Sequence, residues 1–232
     1  MRTLLFFFII LIPLVGNAQG SYQAGVLPSL SLNAKFPKDW SLNVKAESRQ
    51  AFYQGIFGEK GETSYDYVLT DLALIAARKT GIRSAVGGGY VMRIREGAVF
   101  HRSAQQMTFT RPYPRFRLAH RFAADQTFST AEKPAFRLRY RLAAEIPLNG
   151  DRVDPGEFYL KAGNEYLNEW QGGDYGLEIR WSPFLGYAFE GGGKLEGGLD
   201  YRLDSFLEDA SRHRFWIGIN WYFASLEAKR KP

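Results

Sequence analysis

Apolar and polar side chains alternate along most of this chain, and the alternation returns in segment after segment. Between residues 135 and 146, aromatic and aliphatic residues occupy the even positions, while Arg137, Arg139 and Arg141 occupy odd positions. A helix would spread these three arginines over much of its circumference, whereas a strand places all of them on one face. The pattern therefore predicts β-strands almost throughout.

Eleven such segments are recognisable, and they recur about every 19 residues. They start near residues 22, 40, 65, 82, 102, 115, 135, 157, 175, 194 and 212. A strand that crosses a bilayer needs about 9–11 residues. Each repeat thus has room for one such strand and a connection of roughly eight residues.

The expected connections also alternate in length. Short turns are expected at 37–39, 79–81, 112–114 and 191–193, and longer polar loops near 54–64, 96–101, 129–134, 169–174 and 205–211. The segment 148–156 breaks this rule, because it is long where a short turn is expected. Short periplasmic turns with longer outer loops are typical of outer-membrane barrels.

These observations predict an all-β fold, an antiparallel transmembrane β-barrel of 10–12 strands. Twelve strands are favoured because closed bacterial barrels normally have an even number. Ten remain open because Pro28 lies within the first segment, and proline fits poorly in a central strand. The alternative is a soluble periplasmic β-sandwich that binds a ligand. Its strands would be shorter, and it would not explain why aromatic residues cluster near the segment ends.

The first residues predict export. Arg2 precedes an apolar run over residues 4–15, and small residues follow at 16 and 18. This layout is typical of a signal peptide, and the run is too short for a membrane-spanning helix. We expect cleavage of residues 1–18, a barrel over 19–223 in the cell outer membrane, and a periplasmic tail over 224–232.

Composition excludes several classes of chemistry. The chain has 232 residues with no cysteine and only three histidines. Disulfide scaffolds, thiolate metal centres and cysteine nucleophiles are therefore excluded. With so few histidines, we expect no metal site and no cofactor. The formal net charge is +6, from 30 basic and 24 acidic residues.

The polar faces carry the candidate functional residues. Basic side chains share strand faces, and acidic side chains are interspersed among them. In a barrel we expect these residues to line the lumen: Arg93, Arg95, Arg115, Arg117, Arg121, Arg137, Arg139, Arg141, Glu145, Glu165, Glu196, Asp200 and Arg202. They would form either a structural network of ion pairs or a path for an anionic solute, because rings of arginine select anions.

Enzyme chemistry is the weaker hypothesis. A lipid hydrolase of this architecture would need a Ser/His pair on the lipid-facing wall. His120 shares a face with Phe116 and Phe122, and Ser103 is the possible cross-strand serine. His101 and His213 are expected in or beside loops. We therefore assign no catalytic residue.

Five loose motifs recur in proteins of one kind: DWSL at 39–42, ESR at 47–49, RFRLAHRF at 115–122, FRLRYR at 136–141 and NE at 164–165. Through them the chain resembles the uncharacterised outer-membrane-barrel proteins of Gram-negative bacteria that form a family of unknown function. The resemblance spans roughly residues 22–223. It implies a fold and a location, and no catalytic residue.

The sequence thus predicts an outer-membrane barrel that is either structural or a narrow, porin-like channel, in which the Arg/Glu-lined lumen would prefer anions. A lipid-modifying enzyme remains the alternative. The expected partners are outer-membrane lipid, the barrel-assembly machinery through the last strand, which ends in the aromatic Phe223, and a small anionic solute. Nucleic acid is not expected, because acids match most of the basic residues.

Overall fold

The computed structural model describes residues 20–205, 207–208 and 210–227, and in this part of the chain it contains strands and no helix. The predicted signal peptide, residues 1–18, lies outside the described residues, as do residues 228–232 of the predicted tail. The described residues contain no helix long and apolar enough to cross a membrane, a finding that does not bear on strands.

In the described part of the chain, eleven long strands follow one another around a single sheet. They are β1 (Ser21–Lys35), β2 (Trp40–Ile56), β3 (Glu62–Lys79), β4 (Ser84–Arg95), β5 (Ala98–Tyr113), β6 (Phe116–Phe128), β7 (Ala135–Pro147), β8 (Phe158–Gln171), β9 (Asp174–Ala188), β10 (Lys194–Asp204) and β11 (Arg212–Tyr222). Each pairs antiparallel with the next along the chain. We call the end where β1 begins end A and the end where β1 finishes end B.

The sheet closes into a barrel through a parallel pairing of β1 with β11. The pairing runs from Ser21 opposite Arg212 to Ser31 opposite Tyr222. Because the strands alternate in direction and eleven is odd, the first and last run the same way. A twelfth strand, β12 (Leu226–Glu227), continues the parallel pairing at Ala34 and Lys35. The predicted barrel is confirmed, and the sandwich alternative was wrong.

The first segment belongs to the wall despite its proline. Pro28 lies opposite Ile219 at the parallel seam. On its other side, the pairing with β2 lapses at Leu27 and Pro28 and resumes at Ser29. Proline has no N–H to donate, so it is accommodated where the ladder is already interrupted.

The strands are longer than the alternation predicted and absorb parts of the expected loops. The expected loop at 96–101 is a two-residue turn, in which Glu96 and Gly97 have φ of 52° and 75°. Such positive angles match the twist of the flanking strands. The loop at 169–174 likewise shrinks to residues 172–173, and the longest connection, 148–157, lies at end B. The two ends therefore differ little in loop length.

The two faces of the wall have opposite character. Large apolar side chains point outward and remain exposed, as at Leu74 (47%), Leu138 (43%) and Ile217 (55%). Charged side chains point inward and are buried, Asp125 completely. A small apolar cluster of Leu27, Ala51, Val68 and Trp216 also lies inside. A water-soluble protein distributes these classes the other way round.

The charged interior of the barrel as a candidate functional site

A cavity of about 890 Å³ occupies the barrel interior. Its lining reaches from Asn33 and Ala77 near end B to Arg95 and Gln171 near end A. Fifteen of the lining residues are Lys or Arg and eight are Asp or Glu. The lining is therefore strongly cationic. Three further interior carboxylates, Asp125, Glu145 and Asp204, reduce that excess without removing it.

Ten of the thirteen predicted lumen residues line this cavity. They are Arg93, Arg95, Arg121, Arg137, Arg139, Arg141, Glu165, Glu196, Asp200 and Arg202. Arg117 and Glu145 share the inward-facing positions of β6 and β7 and pair with each other at 2.9 Å. The prediction was wrong for Arg115, which lies exposed in the two-residue turn before β6 with φ of 67°. The alternation extended the strand one residue too far.

Five arginines of the cavity lining were missing from the prediction: Arg49, Arg102, Arg180, Arg212 and Arg214. Arg49, Arg102 and Arg180 occupy inward positions in segments whose alternation is weak or interrupted, whereas Arg212 and Arg214 come just before the regular alternation that starts at Phe215. The available signal was spacing by two, since Arg180 follows Glu178 and Arg49 follows Glu47 on the same face.

Asp125 is the centre of one buried ion-pair cluster. Its side chain is fully buried, and its carboxylate lies 2.8 Å from Nε of Arg137 and 2.9 Å from Nη2 of Arg139. Nε of Arg102 lies 3.5 Å away. Burial of a carboxylate in this way requires close cations, which these arginines supply.

A second cluster surrounds Glu196, nearer end B. Lys161 donates to both carboxylate oxygens, at 2.8 and 2.9 Å. The hydroxyls of Tyr159 and Tyr222 donate at 2.9 and 3.1 Å. Glu196 is thus fully engaged by the wall and is suited to a structural role.

Six charged residues on six adjacent strands lie opposite one another in a single line, which we call the arginine row. Its members, in order from β6 to β11, are Arg121, Arg141, Glu165, Arg180, Arg202 and Arg214. Residues directly opposite each other in a sheet have Cβ atoms about 4.5–5.5 Å apart, and like charges there are destabilising. The row therefore concentrates positive charge across half the barrel wall.

Glu165 is the only carboxylate in the row, and its side chain is 5% exposed. It lies 3.3 Å from Arg121 and 3.6 to 3.9 Å from Arg139, Arg141 and Arg180. Arg139 and Arg180 also pair with Asp125 and Glu178, whereas Glu165 is the only carboxylate of the described residues that pairs with Arg121 or Arg141. The surroundings of Arg121 and Arg141 are therefore electropositive.

All three histidines lie on strands. His101 is the fourth residue of β5, so the expected loop at 96–101 was wrong for it, whereas His213 is the second residue of β11 and lies beside the 205–211 connection, as expected. Each meets a tyrosine hydroxyl through Nδ1: His101 meets Tyr90, His120 meets Tyr140, and His213 meets Tyr201. Each pairing gives an outward-pointing imidazole ring a hydrogen-bond partner.

Ser103 does not meet His120. Its hydroxyl donates to Oε1 of Gln126 at 2.5 Å, and His120 lies opposite Phe109. A different serine meets a histidine: Oγ of Ser211 is 3.1 Å from Nε2 of His213. Within the part of the chain that the structure describes, no group of His, Cys, Asp and Glu could hold a metal ion.

Comparison with known families gives one match. A family model described as "Protein of unknown function (DUF2490)" covers residues 24–212, which is most of the chain. No curated protein and no solved structure gives a significant match.

Proposed function

The chain belongs to the DUF2490 family, whose function is unknown, and from that premise we propose that it is an outer-membrane β-barrel that passes small anionic solutes. The single observation that carries the proposal is the cationic excess of the interior, where fifteen basic residues face eight acidic ones along the cavity.

The outer surface supports the membrane location. Apolar side chains are exposed on strands all around the wall, including Leu30, Leu74, Leu138 and Leu185. A soluble monomer rarely exposes so much contiguous apolar surface, whereas a bilayer would cover it.

Exposed aromatic side chains near both ends support the same location. Near end A they include Phe57, Tyr65, Phe128, Trp170 and Tyr175, and near end B Phe36, Trp40, Phe158 and Phe223. Aromatic rings favour the two interfaces between lipid and water.

The interior charge supports preference for anions. Arginine and lysine in a pore wall lower the energy of an anion and raise that of a cation. The low-dielectric wall strengthens this effect compared with bulk water. The ion-pair network occupies much of the lumen, so the proposal is restricted to small solutes.

Two experiments test the proposal. The mature protein should fractionate with outer membranes and migrate faster on gels before heating than after; recovery as a freely soluble protein would refute the location. In a planar bilayer with a KCl gradient, the reversal potential should show preference for chloride. Cation preference or a complete lack of current would refute anion passage.

A second candidate function, hydrolysis of lipid esters, is favoured by the contact between Ser211 and His213. A catalytic serine needs a base within hydrogen-bond reach and a third group that orients the base. His213 and Tyr201 satisfy those distances, at 3.1 and 2.8 Å. The test is deacylation of phospholipid by the refolded protein, with Ser211→Ala inactive and His120→Ala unaffected. Background rates for the unaltered protein would dismiss it.

A further inference from the structure

We propose that Arg121 and Arg141 form a binding site for the phosphate or carboxylate group of a small solute, on an inner floor of small residues. The inference deepens the proposed function and rests on it, because the solute must reach the interior.

These two arginines differ from the other interior arginines in their partners. Six others each have a carboxylate within 2.9 Å, although Asp125 and Asp204 contact more than one arginine: Arg49 pairs with Glu47, Arg93 with Asp71, Arg137 with Asp125, Arg180 with Glu178, Arg202 with Asp200 and Arg214 with Asp204. Arg121 and Arg141 have only Glu165, which they share with Arg139 and Arg180. Arg102, which lies 3.5 Å from Asp125, is buried and donates to Thr127, so Arg121 and Arg141 are the partly exposed interior pair with the weakest carboxylate contacts.

Arg141 is the less satisfied of the two. Its closest carboxylate oxygen, on Glu165, is 3.9 Å away, and its side chain makes no hydrogen bond within the described residues. Arg121 makes one long hydrogen bond to the same carboxylate, at 3.3 Å. Their side chains are 34% and 30% exposed, although both belong to the cavity lining. Donor groups of both are thus available inside the barrel.

Small residues leave space beside these donors. One inward position closer to end B, Ala119 lies opposite Ala143, and Ala143 lies opposite Gly163. Both alanines line the cavity. At Gly163, an added Cβ would lie 2.5 Å from Oγ of Ser182 and 3.1 Å from Nη2 of Arg141, so both side chains use the space that the glycine leaves open.

The geometry matches an oxyanion. A guanidinium presents N–H donors in a planar fork that fits carboxylate and phosphate oxygens, and hydrogen bonds between charged groups are the strong ones. A ligand between Arg121 and Arg141 would also relieve their mutual repulsion, since they lie directly opposite each other. The alanine floor offers no donor, so the two arginines would supply the recognition.

Calorimetric titration of the refolded barrel in detergent tests the site, with inorganic phosphate and citrate as separate probes. We expect saturable binding of at least one probe and weakening by about tenfold in Arg141→Gln, the typical loss for a charged hydrogen bond. Arg141→Lys should retain part of the affinity. Arg115→Gln, in the exposed turn, is the matched control and should bind normally.

The outcomes separate this inference from the proposed function. Binding that is lost in Arg141→Gln and kept in Arg115→Gln supports the site. A folded protein that binds neither probe, or that binds equally well as Arg141→Gln, overturns it. Anion-selective current without saturable binding overturns the site alone. Saturable binding at these arginines without any current supports the site and overturns solute passage.

Discussion

Arg137 donates through Nε to Oδ1 of Asp125 at 2.8 Å, and the two residues lie directly opposite each other on β6 and β7. The Asp125 side chain is fully buried, and that of Arg137 is 10% exposed. A buried carboxylate surrounded by Arg102, Arg137 and Arg139 holds three cations that would otherwise repel one another.

Replacing that carboxylate should be costly. Asp125→Asn is expected to lower the free energy of unfolding by roughly 3–5 kcal/mol, because breaking a buried pair leaves uncompensated buried charge. Urea unfolding of the barrel in lipid vesicles, followed by tryptophan fluorescence, measures the change. Glu132→Gln is the control, since its pair with Arg95 is partly exposed and should contribute about 1 kcal/mol or less. Equal losses for both variants would contradict the central role of Asp125.

The fold could be predicted from sequence because its main signal is local. Leu138 and Arg139 differ in polarity because consecutive strand residues face opposite sides of the wall, and that difference is visible without knowing any partner strand. The same signal located the inward face of β7, including Arg137, Arg139 and Arg141, all of which line the cavity.

The closure of the barrel, the register of its strands and its ion pairs could not be predicted from the sequence, because each depends on residues that lie far apart in the chain. The parallel pairing of Ser21 with Arg212 joins positions near the two ends of the barrel sequence, and the alternation of β1 and β11 alone does not specify it. Likewise, the position of Arg141 opposite Glu165 depends on the length of the 148–157 connection. The alternation also gave no sign that the strand starts at Phe116, which is why Arg115 was misassigned.

Gly186 gives a prediction about packing inside the wall. A Cβ at this position would lie 2.3 Å from the ring of Tyr159, which is fully buried. Gly186→Ala should push that ring away and disrupt its hydrogen bond to Glu196, destabilising the barrel by about 1–3 kcal/mol. The same unfolding assay measures it. Gly197→Ala is the matched control, because nothing lies within 4 Å of its added Cβ. Destabilisation by the control alone would refute this account.

The parallel seam predicts a specific cross-link. The chain has no cysteine, so any disulfide that forms after a pair of cysteines is introduced must join those two residues. Val26 lies opposite Ile217 across the seam, and Val26→Cys with Ile217→Cys should form a disulfide on mild oxidation, seen as a gel shift that reductant reverses. The pair Val26→Cys with Trp221→Cys is offset by four residues, about 13 Å along a strand, and should not form a disulfide. Cross-linking of the offset pair in place of the matched one would mean a different closure.

Neighbouring residues on β7 test the division between the two faces. Single cysteines at Leu138 and Arg139 can carry the same spin label, and accessibility to oxygen and to a water-soluble nickel reagent can be measured in reconstituted vesicles. The label at Leu138 should favour oxygen, because that side chain points outward among apolar neighbours and is 43% exposed. The label at Arg139 should encounter less oxygen, because that side chain points into the charged interior beside Asp125.

Leu160→Cys, on the outward face of β8, is the control and should behave like Leu138→Cys, since those two faces meet the same surroundings. If the labels at 138 and 139 reported the same environment, the outer wall would not be in lipid, and passage of anions through the interior would lose its physical basis.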